Sequence, residues 1–179
     1  MNQDVLYLIP GGYPVTIDVA QASIAGVGTA MHFVLPQNGH NLPLMHHHES
    51  KLLVALQGAL EIRGSGHSIA VLQQGQALML PAGTAHRVHQ HGTQPVTVGV
   101  ALWPGEVEQA FRQQAAAVVN GTYDREEMIR IFARFDVIWN AATPAATVAG
   151  DVRPLAAWLD ELPPALAEQL HQRWTNEHL

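Results

Sequence analysis

The sequence predicts an all-β core, an antiparallel sandwich or barrel, followed by a C-terminal helical extension. Three observations carry this reading. Short apolar runs of four to eight residues, bounded by Gly, Pro or Asn, recur up to Trp103. Beyond Pro104 the apolar period becomes helical. Nine of the 11 histidines lie between His32 and His91, among the short runs.

In chain order, VLYLI (5–9) precedes a Pro-Gly-Gly-Tyr-Pro break. VTIDVA (15–20), TAMHFVLP (29–36), LLVALQG (52–58), ALEIRGSG (59–66), HSIAVL (67–72), QALMLPAG (76–83) and VTVGVAL (96–102) then read as strands. Arg63-Gly64-Ser65-Gly66 supplies a hairpin turn, because glycine takes positive φ without steric cost. Alternation within the runs is imperfect, as expected of strands that pack on both faces. After Pro104, EVEQAFRQQAAAVV (106–119) is a helix stopped by Asn120-Gly121. Asp124 is placed to cap the next helix, REEMIRIFARF (125–135), with Glu127 three residues on. ATPAATVAG (142–150) reads as a loop, and DVRPLAAWLDEL and PPALAEQLHQRW as two further short helices. The chain thus divides into a barrel at 1–104 and a helical extension at 105–179, packed on or beside it.

Composition narrows the function classes. No cysteine is present, which removes disulfides and thiolate metal sites. A net charge of −6 argues against a nucleic-acid partner, which would require clustered Lys and Arg. The N-terminal stretch has only a five-residue apolar run and an early acid, so neither a secretory signal nor a membrane partner is expected. A cytoplasmic protein that handles a small-molecule ligand is the expectation.

The residues that carry chemistry lie between Gly39 and Gln90. GQALMLPAGTAHRVHQ (75–90) places Gly75, Pro81, Gly83 and His86 at spacings that resemble the second motif of the cupin superfamily. In that motif a Pro-x-Gly turn ends one strand and a histidine on the next points into a small barrel; Gln90 stands where asparagine is usual. The first cupin motif runs from Gly through His-x-His and Glu to a second Gly. Gly39 and Gly58 supply its ends, but the pair falls on Met45 and His47 and the glutamate on Lys51, the one lysine of the chain. The resemblance covers residues 25–102 and extends weakly into the tail of small bacterial, quercetin-dioxygenase-like cupins. It implies a cupin-type barrel, a double-stranded β-helix or jelly roll.

The resemblance implies a facial ligand set for a divalent transition metal (Fe, Mn, Ni, Cu or Zn). Here His47 and His86 are the metal candidates in the unshifted register, and with Lys51 among them the metal is weakly bound or absent. A one-residue bulge would substitute His46 and His48, with Glu49 as the acid. Met45, Lys51 and Met79 are the expected pocket residues, and Lys51 is the candidate catalytic group, as a nucleophile or base if buried and as an anion or carbonyl holder if charged. The four tryptophans, Trp103, Trp139, Trp158 and Trp174, are expected to be packing anchors. Two functions follow: a metal-dependent oxygenase or isomerase acting inside the barrel, or a non-catalytic ligand-binding or sensor cupin with a lost or altered metal site. Cupins commonly dimerise through the sheet, so a homodimer joined at the VLYLI strand is expected.

Overall fold

The computed structural model describes residues 4–41, 44–64, 66–139 and 150–175. The loop expected at 142–150 lies, except for Gly150, outside the described residues. Ten strands form the first part: β1 (Asp4–Tyr7), β2 (Pro14–Val19), β3 (Thr29–Leu35), β4 (Leu44–His46), β5 (Ser50–Gln57), β6 (Ala59–Arg63), β7 (Ser68–Leu72), β8 (Gln76–Leu80), β9 (Arg87–His91) and β10 (Val96–Trp103). Helices α1 (Glu108–Val119) and α2 (Arg125–Ala133), strands β11 (Val137–Trp139) and β12 (Arg153–Pro154), and helices α3 (Leu155–Trp158) and α4 (Pro164–Leu170) complete it.

One sheet runs in the order β1-β2-β3-β10-β5-β8-β12, a second in the order β7-β6-β9, and β11 pairs with β4. All pairings are antiparallel. Reciprocal backbone bonds between Leu44 and His86 join β4 to the chain entering β9. The result is a jelly-roll barrel flattened between a long and a short wall, with β1 at the edge of the long wall and its Val5 and Tyr7 exposed. Among the described residues no helix is long and apolar enough to cross a membrane.

The near-continuous apolar character of β5 has a physical cause. Successive side chains of a strand face opposite ways. Leu53 and Ala55 point into the barrel core, whereas Leu52, Val54 and Leu56 point outward beneath the C-terminal helices. There Leu155, Trp158, Leu166, Leu170 and Trp174 cover the outer face of the long wall. Trp158 and Trp174 are therefore anchors, as their type and spacing suggest. The indole N–H of Trp158 donates to the Ala77 carbonyl (3.1 Å) and that of Trp174 to Asp18 (2.8 Å).

Local chemistry fixes the ends of the elements. Asp124 caps α2 by accepting from the Glu126 amide at 3.1 Å, while Glu127 turns away to pair with Arg130. Gly58 joins β5 to β6 at φ +78°, where an added Cβ would meet the Pro95 carbonyl at 2.6 Å. Only glycine serves there. The extension is not wholly helical. Val137–Trp139, β-branched and aromatic, forms β11 against β4, which would otherwise expose its backbone edge.

Candidate functional site

The site lies in the barrel beneath α1, α2 and β11, and the turn before β9 sets its first residue. Gly83 takes φ +83°, its amide donates to the His46 carbonyl (2.6 Å), and the Thr84 hydroxyl donates to the Pro81 carbonyl (2.8 Å). The Thr84 carbonyl in turn accepts from His86 Nδ1 at 2.9 Å. That bond places the ring proton on Nδ1 and leaves Nε2 with a lone pair. Lys51 Nζ stands 3.2 Å from this Nε2 and donates to it. The position that the family motif assigns to a glutamate thus holds an amine aimed at an imidazole.

Strand parity decides which histidines join them. On β4 the side chains of Leu44 and His46 line the cavity, so Met45 faces away. The strand ends at His46, and the next residues bend outward, with the His47 amide donating to the Asp136 carbonyl (2.9 Å). His47 and His48 are both exposed, and the chain turns back in at buried Glu49. His46 Nδ1 faces Glu49 Oε2 at 3.4 Å, and among the described residues neither atom has a hydrogen-bond partner. The other carboxylate oxygen accepts from the Val107 amide at 3.1 Å.

Neither expected ligand register is assembled. The unshifted pair of His47 and His86 is separated because His47 is exposed; the shifted set loses His48 for the same reason. Met79 is paired across from Leu52 and packs with it on the outer face of the long wall, so of Met45, Lys51 and Met79 only Lys51 lines the cavity. Gln90, in place of the motif's asparagine, is a loop clamp: its amide donates to the carbonyls of His91, Gly92 and Gln94, and its oxygen accepts from Asn38.

Burial governs the electrostatics. Desolvation pushes Lys51 down to about 7, opposed by the negative charge of Glu49. Desolvation and then the nearby lysine push His86 down to about 3, and the same causes hold His46 well below its ordinary value. Glu49 is raised by burial, against the bonds from the Val107 and Gly105 backbone and the lysine charge. The cluster therefore favours neutral forms. His46 Nδ1 and Glu49 Oε2 have room for one proton between them.

A divalent metal does not fit these residues. The lone pair that His86 would offer is already engaged by an amine, and an ammonium 3.2 Å away repels a cation. Among the described residues no group of three His, Cys, Asp or Glu side chains is arranged to hold a metal.

Above the polar floor the cavity is apolar. It measures about 70 Å³ and is lined by Tyr13, Met31, Phe33, Leu53, Val100, Phe132, Trp139 and others. A chamber of about 150 Å³ shares Leu8, Tyr13, Val15, Asn41 and Trp139 with it and reaches exposed Ile9 and His40. Tyr13 stacks on Phe33, and Phe132 meets both Phe111 and Trp139 edge to face. Trp139 packs on the barrel core, as expected of the tryptophans, and it also lines both chambers; among the described residues its buried indole N–H has no partner. Sequence reasoning does not single it out for the cavity, whereas it names both His46 and Glu49 in the shifted register, as metal ligand and acid rather than as a facing pair. Trp139 comes to the site through the β11–β4 pairing, for which the sequence gives no signal beyond three β-prone residues.

Residues 31–105 match the family described as Cupin domain. Similar solved structures include the polyketide cyclase RemF from Streptomyces resistomycificus, at 16% identity over 57% of this chain and 75% of that one, with a TM-score of 0.49. KdgF from Halomonas sp. is 19% identical over 59% of this chain and 90% of its own, with a TM-score of 0.47. An RmlC-like cupin from Shewanella frigidimarina is 12% identical over 60% and 89%, also with a TM-score of 0.47. No curated protein matches the sequence. The family match spans the segment that holds the Gly39, Gly58, Gly75, Pro81, Gly83 and His86 framework, and it is this segment, 31–105, that is similar to the Cupin domain family.

Proposed function

We propose that the barrel binds a small, largely apolar molecule with one oxygen-bearing head group, an acid or a carbonyl compound, and that Lys51 does the work a metal ion does in cupins with the full motif. The observation that carries this is Lys51 Nζ at the floor of an apolar cavity, bonded to His86 Nε2 and, among the described residues, in no ion pair. An amine so placed has no carboxylate bonded to it, and a ligand carboxylate or carbonyl oxygen supplies an acceptor. The free indole N–H of Trp139 offers a second donor to the same ligand. The aromatic walls supply the affinity for its apolar part.

A second reading is favoured by one observation. His46 and Glu49, 3.4 Å apart and without other partners at the facing atoms, form a histidine–carboxylate pair suited to moving a proton on a bound ligand. Isomerase-type chemistry would use it; the quercetin-dioxygenase-like alternative would need metal ligands that are not assembled here.

The test is calorimetric titration of benzoate into protein purified without a histidine tag, with elemental analysis of the same sample. Benzoate is expected to bind, and Lys51→Met to weaken it by more than tenfold, the loss of a charge-assisted bond of about 2 kcal/mol. Unchanged affinity in Lys51→Met, or a near-stoichiometric transition metal in the wild type, would overturn the reading.

A further inference from the structure

We infer that Lys51 is a carbonyl-condensing amine: a small aldehyde with an apolar tail, seated in the cavity, joins Nζ as an imine. The inference rests on the ligand reading above and narrows its ligand class.

Four features of the structure converge on it. The hydrogen bond of Lys51 goes to an imidazole lone pair rather than to a carboxylate, so only the unbonded Glu49 charge favours the charged amine. Lys51 is also buried, and burial disfavours the charged form of an amine. The space above Nζ is walled by aliphatic and aromatic side chains, which receive an apolar aldehyde and dilute the competing water. His46 lines the same cavity and shares a proton site with Glu49, close to where a carbonyl oxygen would lie.

The step balances without an oxidant or reductant. The Nζ lone pair forms a C–N bond as the C=O pair moves onto oxygen. That oxygen takes a proton from the His46–Glu49 pair, and the proton shed by nitrogen replaces it. A second proton lets the oxygen leave as water while the nitrogen pair forms C=N, and the last N–H proton returns to the pair. Amine and aldehyde become imine and water.

The experiment uses the intact wild-type protein with benzaldehyde and cyanoborohydride at pH 7, followed by peptide mapping. Lys51 is the only lysine, so the α-amine is the internal reference. The apolar cavity concentrates the aldehyde at Nζ, so the benzyl group is expected on Lys51 in excess over the α-amine. Benzoate is expected to protect Lys51, and Lys51→Arg to lose the adduct. An adduct on the α-amine with Lys51 unmodified or lagging overturns the inference. If benzoate binds through Lys51 but benzaldehyde leaves no adduct, imine formation is refuted and the binding reading stands. Absence of both overturns both.

Discussion

Two buried carboxylates, Glu49 and Glu108, meet the same turn of chain and are treated in opposite ways. Glu108 opens α1 and is saturated: one oxygen accepts from the Gln21 amide (2.6 Å) and the Thr29 hydroxyl (2.7 Å), the other from Arg112 (2.8 Å). Arg112 reaches on to Asp4 of β1, so one carboxylate fastens β1, β3 and α1 together. Glu49 is held only by backbone groups, Val107 among them, and leaves an oxygen facing His46 with no bond made. Buried polar groups are nearly always satisfied when their role is to hold structure. An unsatisfied one beside a cavity marks a place where a ligand or a proton completes the set. The same contrast recurs between the histidines: His32 bonds Asp18 at 2.8 Å, and Asp18 also receives Trp174.

The largest effect that tests this contrast is Glu108→Ala. It strands the Arg112 guanidinium, the Thr29 hydroxyl and the Gln21 amide at once, with an expected loss of about 3 kcal/mol and a fall in Tm of about 10 °C. Urea and thermal unfolding measure it. A loss below about 1 kcal/mol would break the distinction between a structural and a functional carboxylate.

Next in size is Lys51→Met, which acts through pH. In the folded state Lys51 titrates near 7, and in the unfolded chain near 10.5. Between those values the unfolded chain binds more protons, so wild-type stability rises with pH across that window. Methionine titrates nowhere. The stability advantage of Lys51→Met over wild type is therefore expected to shrink by about 2 kcal/mol between pH 7 and pH 9, as read from urea midpoints. A pH-independent difference would place the amine in water.

Trp139→Phe follows. It keeps an aromatic ring against Phe132 and removes the orphaned N–H. Stability is expected to stay within about 0.5 kcal/mol of wild type, while benzoate binding weakens by up to about tenfold, the worth of one hydrogen bond. Affinity unchanged by the substitution would remove Trp139 from the ligand's contacts.

Much of the fold could be read from the sequence because its signals are local. The apolar runs and glycine turns mark β2, β3 and β5–β8, and Asp124 marks the start of α2. Lys51 and His86 were identifiable because fixed turn residues, Gly58 and Gly83, set their phase. The His46-His47-His48 run was not, since three identical side chains say nothing about which one faces inward. The answer lies in where β4 ends, and that is set by the Asp136 carbonyl taking the His47 amide from 89 positions along the chain. Met45 was misplaced for the same reason: parity on β4 is fixed by its pairing with β11.

The smallest expected change is also the sharpest, because it separates the two carboxylates by sign. Glu49→Gln keeps an oxygen for the Val107 amide and turns an NH₂ toward His46 Nδ1, filling a bond the wild type lacks. It also replaces a buried acid by a neutral group of the same shape. Burial raises Glu49 above its unfolded value of 4.5, so the folded state holds that proton more tightly. Wild-type stability therefore falls as pH rises through the interval between the two values, and the glutamine variant escapes that fall. At pH 7 Glu49→Gln is expected to be as stable as wild type or more stable by up to about 1 kcal/mol, an advantage that disappears at pH 4. A destabilisation at pH 7 comparable to that of Glu108→Ala would make Glu49 a second fastener, and the open edge of the cavity would lose its proton pair.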